Sequence, residues 1–447
     1  MFYLLCSILI LNLFLAYRQF RNIIAPPVLM GAGMLLACLI VYEYYELWDL
    51  NDLSFETVLC LGGGTLSFTF TCLLLDNRSS SVIVSQMQNR EDINCNYYLY
   101  ETSDHLISNV NKLVLLYLLS IVVGVVGLLL RYRYLTSTYG SFAMGELALM
   151  SREDKLFEVP SHIRMMQSFS LVISTFSIWF LFTMLYLKNI KKVLLLLFIC
   201  QIIVTALFGV MESNKGTIFG IISKIYVIFI IFYYSNNNSF HINKKIYFRL
   251  AVMFILLLLS FKSLSELVGR QIKEQSNTDL VAEYCGAEIK NFDIYINSYS
   301  GNKRSKYFGA VTFGKLYSEF GSKKGMPDSE GFQRIRGITL GNVYTTFYSF
   351  HKDFGIIGCI IAPVIMAIVI MFIYKKALRS LLDPYKFNFY LFLYGHLAIS
   401  LFMSFFSCKI TESNFNLGFF RNLLYILIVA WFLKKYIGIQ DIKETII

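Results

Sequence analysis

The sequence is 447 residues long, 56% hydrophobic and only 15% charged, with a mean hydropathy of +0.58. So little polar surface excludes a soluble globular protein of this size and points to a polytopic membrane protein. The net charge of +11 fits Lys and Arg anchoring of cytoplasmic loops rather than nucleic-acid binding, and the nine cysteines form no CxxC pair or Cys/His cluster that would suggest a disulfide framework or a zinc site.

A membrane-crossing helix needs about 20 mostly apolar residues. By that measure the chain is all-α, with spans near 2–17, 27–45, 54–75, 113–130, 166–187, 193–211, 216–234, 247–262, 354–374, 387–407 and 417–434. The count is about eleven, within a range of roughly ten to twelve. The first stretch has no basic region before it and is followed by Arg18 and Arg21, so it reads as a membrane helix rather than a secretory signal. Arg18 and Arg21, Lys188 to Lys192, Lys244 and Lys245, Lys375 to Arg379, and Lys434 and Lys435 fall on one side if the N-terminus starts on the other. That side is cytoplasmic by the positive-inside rule, so the N-terminus faces outward and the C-terminus inward; Arg131 and Arg133 are the exceptions.

This topology leaves two long outward loops, 131–165 and 263–353. The second is far longer than an ordinary connection and is therefore a functional candidate. It carries Arg270, Lys273, Lys303, Arg304, Lys306, Lys315, Lys323, Lys324, Arg334 and Arg336. Such a basic outward loop runs against the positive-inside habit; it fits an anionic ligand at the outer face, or simply a solvated helical loop. With no repeat or soluble segment in view, residues 1–447 read as a single membrane-embedded domain.

Inside the spans, Lys224 and His396 are costly unless paired or packed, and so are candidates for function or for satisfied packing residues. The turn Glu212-Ser213-Asn214-Lys215-Gly216 feeds a helix N-terminus, where backbone N–H groups and Lys215 suit a phosphate. No D-x-D triplet, Walker A sequence, G-x-S-x-G elbow or H-E-x-x-H motif occurs.

The stretch Gly341 to Gly358 joins a polar, aromatic half to a long apolar run. Read as a helix, it places Asn342, Thr345, Ser349 and Asp353 on one face and Phe347, Phe350 and Phe354 on the other, with Tyr344, Tyr348 and His351 between. Such a stripe suits a sugar; it also suits an interfacial aromatic belt with a solvated Asp.

Asn342-Val343-Tyr344-Thr345 followed by Asp353-Phe354-Gly355-Ile356-Ile357-Gly358 resembles the late motif of the Wzy-type oligosaccharide repeat-unit polymerases, or O-antigen polymerases. Ala25-Pro26-Pro27-Val28, Asp52-Leu53-Ser54-Phe55-Glu56-Thr57 and Glu212 to Gly216 look like further family elements, the last with Lys in place of Arg. An Arg with Gly eleven positions on, described for outward loops of some members, does not occur here. The resemblance implies a metal-independent glycosyltransferase without cofactor, at the periplasmic face of the bacterial inner membrane. It would move a growing glycan from undecaprenyl pyrophosphate to the non-reducing end of a new lipid-linked repeat unit, beside a chain-length regulator. On that reading Asp353 or His351 is the base. Arg334 and Arg336, then Lys215, Arg270 and Arg421, hold the pyrophosphate, and Asn342, Tyr344, Thr345 and Tyr348 orient the sugar. An O-antigen ligase and a flippase or other transporter of the lipid-linked unit are the competing expectations.

Overall fold

A computed structural model of the chain describes residues 1–76, 85–86, 110–140, 146–148, 150, 159–188, 191–212, 215–240, 242–267, 276–298, 304–320 and 331–437. The helices are α1 (Phe2–Phe20), α2 (Pro26–Val41), α3 (Phe55–Asp76), α4 (Val110–Tyr139), α5 (Ser161–Tyr186), α6 (Lys192–Met211), α7 (Lys215–Asn237), α8 (Lys244–Leu259) and α9 (Phe261–Leu267). They continue with α10 (Asn277–Cys285), α11 (Ala287–Asn297), α12 (Gly314–Glu319), α13 (Thr346–Leu378), α14 (Phe389–Phe402), α15 (Lys409–Asn414) and α16 (Leu417–Phe432). The described strands are β1 (Gln333–Ile335) and β2 (Ile338–Gly341), one antiparallel hairpin.

Nine of these helices, α1 to α7, α13 and α16, are long and apolar enough to cross a membrane. The protein is thus an all-α polytopic membrane protein. Two of the eleven predicted spans come out shorter: α8 has 16 residues and α14 has 14. The first span is longer than its apolar run, because α1 carries on past Arg18 to a left-handed cap at Arg21.

The described residues form two compact units. The first comprises 1–80, 275–376 and 397–420, and the second comprises 81–274, 377–396 and 421–447. In the first, α1 packs on α2 and α3, while α10 and α11 pack on α2. The Pro26-Pro27 pair opens α2, where proline's missing N–H costs nothing. Just before it, Asn22 accepts from the Ile24 N–H (3.0 Å) and donates to the Tyr374 hydroxyl (2.8 Å), tying the loop to α13. Helices α3 and α13 meet at Gly64: a Cβ there would lie 2.2 Å from the Phe347 ring and 2.4 Å from the Cys359 carbonyl. That close approach also lets Ser67 donate to the Ile360 carbonyl at 3.0 Å.

In the second unit α4, α5 and α6 are knitted by a buried polar network, as small and polar residues do between membrane helices. Ser120 donates to Gln201 Oε1 (3.0 Å), Gln201 Nε2 donates to Ser170 Oγ (2.9 Å), and Ser170 bonds Thr205 (3.0 Å). Gln201 is wholly buried.

Candidate functional site

The entry to α13 differs from the sequence expectation. Arg336 and Gly337 both have positive φ (48° and 82°), which makes a two-residue turn and zips Ile335 against Ile338. The backbone of 338–341 is therefore committed to a ladder, and Gly341, with φ 82°, ends it. Helix begins only at Thr346, so Asn342 and Thr345 do not share a helical face with Ser349 and Asp353. Asn342 is exposed in the bend after β2. Asn291 of α11 holds this segment, donating to the carbonyls of Leu340 and Val343, both at 2.9 Å.

A second break follows at Gly355, where φ 73° and ψ −162° interrupt α13. This backbone region is open essentially to glycine alone. The space a side chain would fill is taken by the Arg304 guanidinium, whose Nε and Nη2 lie 3.0 Å from an ideal Cβ. Three residues on, a Cβ at Gly358 would meet the Phe350 carbonyl at 2.6 Å and Phe354 at 2.5 Å. The two glycines of Asp-Phe-Gly-x-x-Gly thus serve the same kink, one through its dihedral and one through its bareness.

The other two members of that motif hold the loop that carries Arg304. The Asp353 carboxylate accepts from the backbone N–H groups of Val311 (3.1 Å) and Thr312 (2.7 Å) and from the Ser305 hydroxyl. Ser305 N–H donates to the Lys352 carbonyl at 2.9 Å, and Phe354 packs on Phe308 with ring centroids 5.0 Å apart. Asp353, expected as a base, spends its oxygens on this loop.

His351 lies one turn back and is 1% exposed. Its Nε2 is 2.9 Å from Glu56 Oε1, in the first turn of α3. Its Nδ1 faces the Tyr295 hydroxyl at 3.2 Å and Arg304 Nη1 at 3.4 Å; Nη1 also donates to the His351 carbonyl at 3.2 Å. A guanidinium can only donate, so Nδ1 is the accepting nitrogen, and Nε2 carries the proton that it donates to Glu56. The Glu56 side chain is 37% exposed and Arg304 is exposed. A carboxylate and a guanidinium therefore reach the surface from opposite edges of one buried imidazole. In the sequence Glu56 stands only within a motif and Arg304 only within a basic loop, and neither is among the expected site residues. The helix-start pattern Ser54-x-x-Thr57, in which Ser54 accepts from Thr57 N–H at 3.2 Å, marks the local geometry but not the partner 295 positions away.

An open cleft of about 490 Å³ is lined by Asp49, Asp52, Lys290, Asp293, Ile294, Asn297, Ser298 and Ile335. Asp293 joins this cleft to the start of α3: it accepts from the Ser54 N–H and the Thr57 hydroxyl, each at 2.8 Å, residues that flank Glu56 in the chain. Lys290 donates to Asp293 (3.1 Å) and to the Asp49 carbonyl (2.8 Å).

The remaining expected residues are spread more widely. Tyr344 is buried, accepts from Gln333 Nε2 at 2.7 Å and stacks on the half-buried Tyr348, centroids 4.6 Å apart. Tyr348 in turn packs edge-on against Tyr295. Thr345 is buried, its hydroxyl unpartnered among the described residues. Arg334 is exposed on β1, and Arg336 is paired with Asp49. Lys215 and Arg421 belong to the second unit, where Lys215 donates to Ser265 and lies 4.1 Å over Phe261, and Arg421 donates to Ser168 at 2.6 Å. In the same unit Lys224 is buried and donates to Thr175 at 2.9 Å, while the partly buried His396 sits on α14. Arg131 pairs with Glu212 at 3.0 Å. Arg270 lies outside the described residues, as do Lys273, Lys303, Lys323 and Lys324. Among the described residues no group of three or more His, Cys, Asp and Glu side chains could hold a metal ion.

Comparison with family models, curated proteins and solved structures finds no match to this chain.

Proposed function

We propose that the protein is a Wzy-type glycan polymerase. It transfers the growing chain from undecaprenyl pyrophosphate to the non-reducing end of a lipid-linked repeat unit, at the periplasmic face of a bacterial inner membrane. The supporting observation is the surface carboxylate and surface guanidinium held by His351 where α13 begins. Glycosyl transfer from a lipid diphosphate needs a proton acceptor for the incoming hydroxyl and positive charge for the departing diphosphate. Glu56 and Arg304 are groups of those two kinds in one frame, and the open cleft that Asp293 joins to the start of α3 offers carboxylate, amide, hydroxyl and ammonium groups of the kind that hydrogen-bond a sugar. With the N-terminus outward, the hairpin, the cleft and the start of α13 all lie on the periplasmic side.

The test is a gel of surface glycan from a strain deleted for the gene, complemented or not. The expected result is a ladder collapsed to core plus one repeat unit and restored by complementation. A preserved ladder would overturn the reading; free lipid-linked polymer would indicate a ligase, and loss of all capped core an exporter of the unit.

A further inference from the structure

We propose that Glu56 is the proton acceptor for the sugar hydroxyl, with His351 as the residue that positions it; this rests on the polymerase reading above. Among the acidic and imidazole groups around Arg304, three could take a proton, and their surroundings separate them. Asp353 is engaged by two backbone N–H groups and the Ser305 hydroxyl, so its lone pairs point into the 305–312 loop. His351 is buried, its one accepting nitrogen faces Tyr295 and Arg304, and its other nitrogen holds its hydrogen against Glu56. Asp353 and Glu56 are both partly exposed carboxylates, but only Glu56 keeps an oxygen unengaged among the described residues: the imidazole N–H fixes Oε1 and leaves Oε2 to meet a substrate.

The placement is over-determined. Ser54 caps the helix whose first turn carries Glu56, and Asp293 grips Ser54 and Thr57 on both flanks. The same Asp293 lines the cleft, so the residue that would meet a sugar lying there also holds the turn that carries Glu56. In the transfer, the acceptor O–H bond breaks and its proton goes to Glu56. The freed oxygen pair forms the new bond to the anomeric carbon, and the carbon–oxygen bond to phosphate breaks with its electrons leaving on the lipid diphosphate. Arg304, on the other edge of the imidazole, supplies positive charge on the same side of the molecule.

The experiment uses full-length protein in liposomes and, as probe, the lipid-linked repeat unit extracted from cells deleted for the gene. Wild type should elongate it. Glu56→Gln should lose about 100-fold or more in rate, with its thermal unfolding midpoint held within a few degrees. Glu56→Gly should regain rate on addition of sodium formate, as a missing carboxylate base does and a missing structural contact does not. His351→Gln, which keeps an N–H donor near the Nε2 position, should retain far more rate than His351→Ala. Wild type failing to elongate the probe would overturn the polymerase reading itself. Elongation by wild type and Glu56→Gln within threefold of each other would overturn the base assignment alone. So would a Glu56→Gly variant that formate does not revive, which also covers the case of a poorly folded Gln variant.

Discussion

The two units bury polar side chains in contrasting ways. In the second, Ser120, Gln201, Ser170 and Thr205 bond one another, and Lys224 ends on Thr175. Those networks close on themselves and serve packing. In the first, the chain of bonds through Tyr295 and His351 runs out to a surface carboxylate and a surface guanidinium. Helix packing needs only satisfied groups, and exposed ends add nothing to it. A network that holds charged ends at the surface is built to meet something else.

That contrast is broken most severely at Asp353. If its task is to hold the 305–312 loop, Asp353→Ala should lower stability by about 3 kcal/mol, since each unmet buried donor costs about 1–3 kcal/mol. Thermal unfolding in detergent would read this as a clear fall in midpoint alongside lost polymer. Lost polymer at an unchanged midpoint would instead make Asp353 a participant in the chemistry. Gly355→Ala comes next, at about 2 kcal/mol from the strained dihedral, and its side chain would displace the Arg304 guanidinium. Polymer should fall further than the midpoint shift explains, and Gly355→Ala combined with Arg304→Ala should be no worse in rate than Arg304→Ala alone.

How much of this was legible beforehand depended on the range of the interaction. Hydropathy located the spans, because about 20 apolar residues in a row have few other uses. The motif around Asp353 and Gly355 was visible as a pattern, yet its meaning was not: a periodicity argument run through Asn342 ignored Arg336-Gly337, whose turn chemistry commits the next residues to a strand. Glu56 was hidden because its partner lies on α13, and apolar helices give no sequence signal of which faces meet. Gly64 sets that meeting and Gly355 seats Arg304, and each reads in sequence only as a weak helix former.

The first unit also contains a buried acidic group. Glu288 on α11 is fully buried, and both its carboxylate oxygens are unpartnered among the described residues. Burial first, and then repulsion from Glu283, push its carboxyl well above the usual range. The folded state therefore keeps the proton at a pH where the unfolded chain has released it. Its contribution is fully present below the ordinary carboxyl pKa and is lost as pH rises toward the folded value. Glu288→Gln should remove that slope, of up to about 1.4 kcal/mol per pH unit. The variant should match wild type near pH 4 and unfold at a higher temperature near pH 8; equal midpoints at both would show the carboxylate has found a partner.

The smallest effect expected is in the closed network of the second unit. Gln201→Leu removes three bonds between α4, α5 and α6, but Ser120, Ser170 and Thr205 can turn to carbonyls one turn back in their own helices, as Thr205 already does to Gln201 at 2.9 Å. Membrane helices lose only about 0.6 kcal/mol for such a bond, and at most about 1.7 kcal/mol. The unfolding midpoint should drop slightly while glycan elongation stays within twofold of wild type. An elongation loss as deep as that of Glu56→Gln would mean that the second unit's buried polar residues do more than hold helices together, and the contrast between the units would fail.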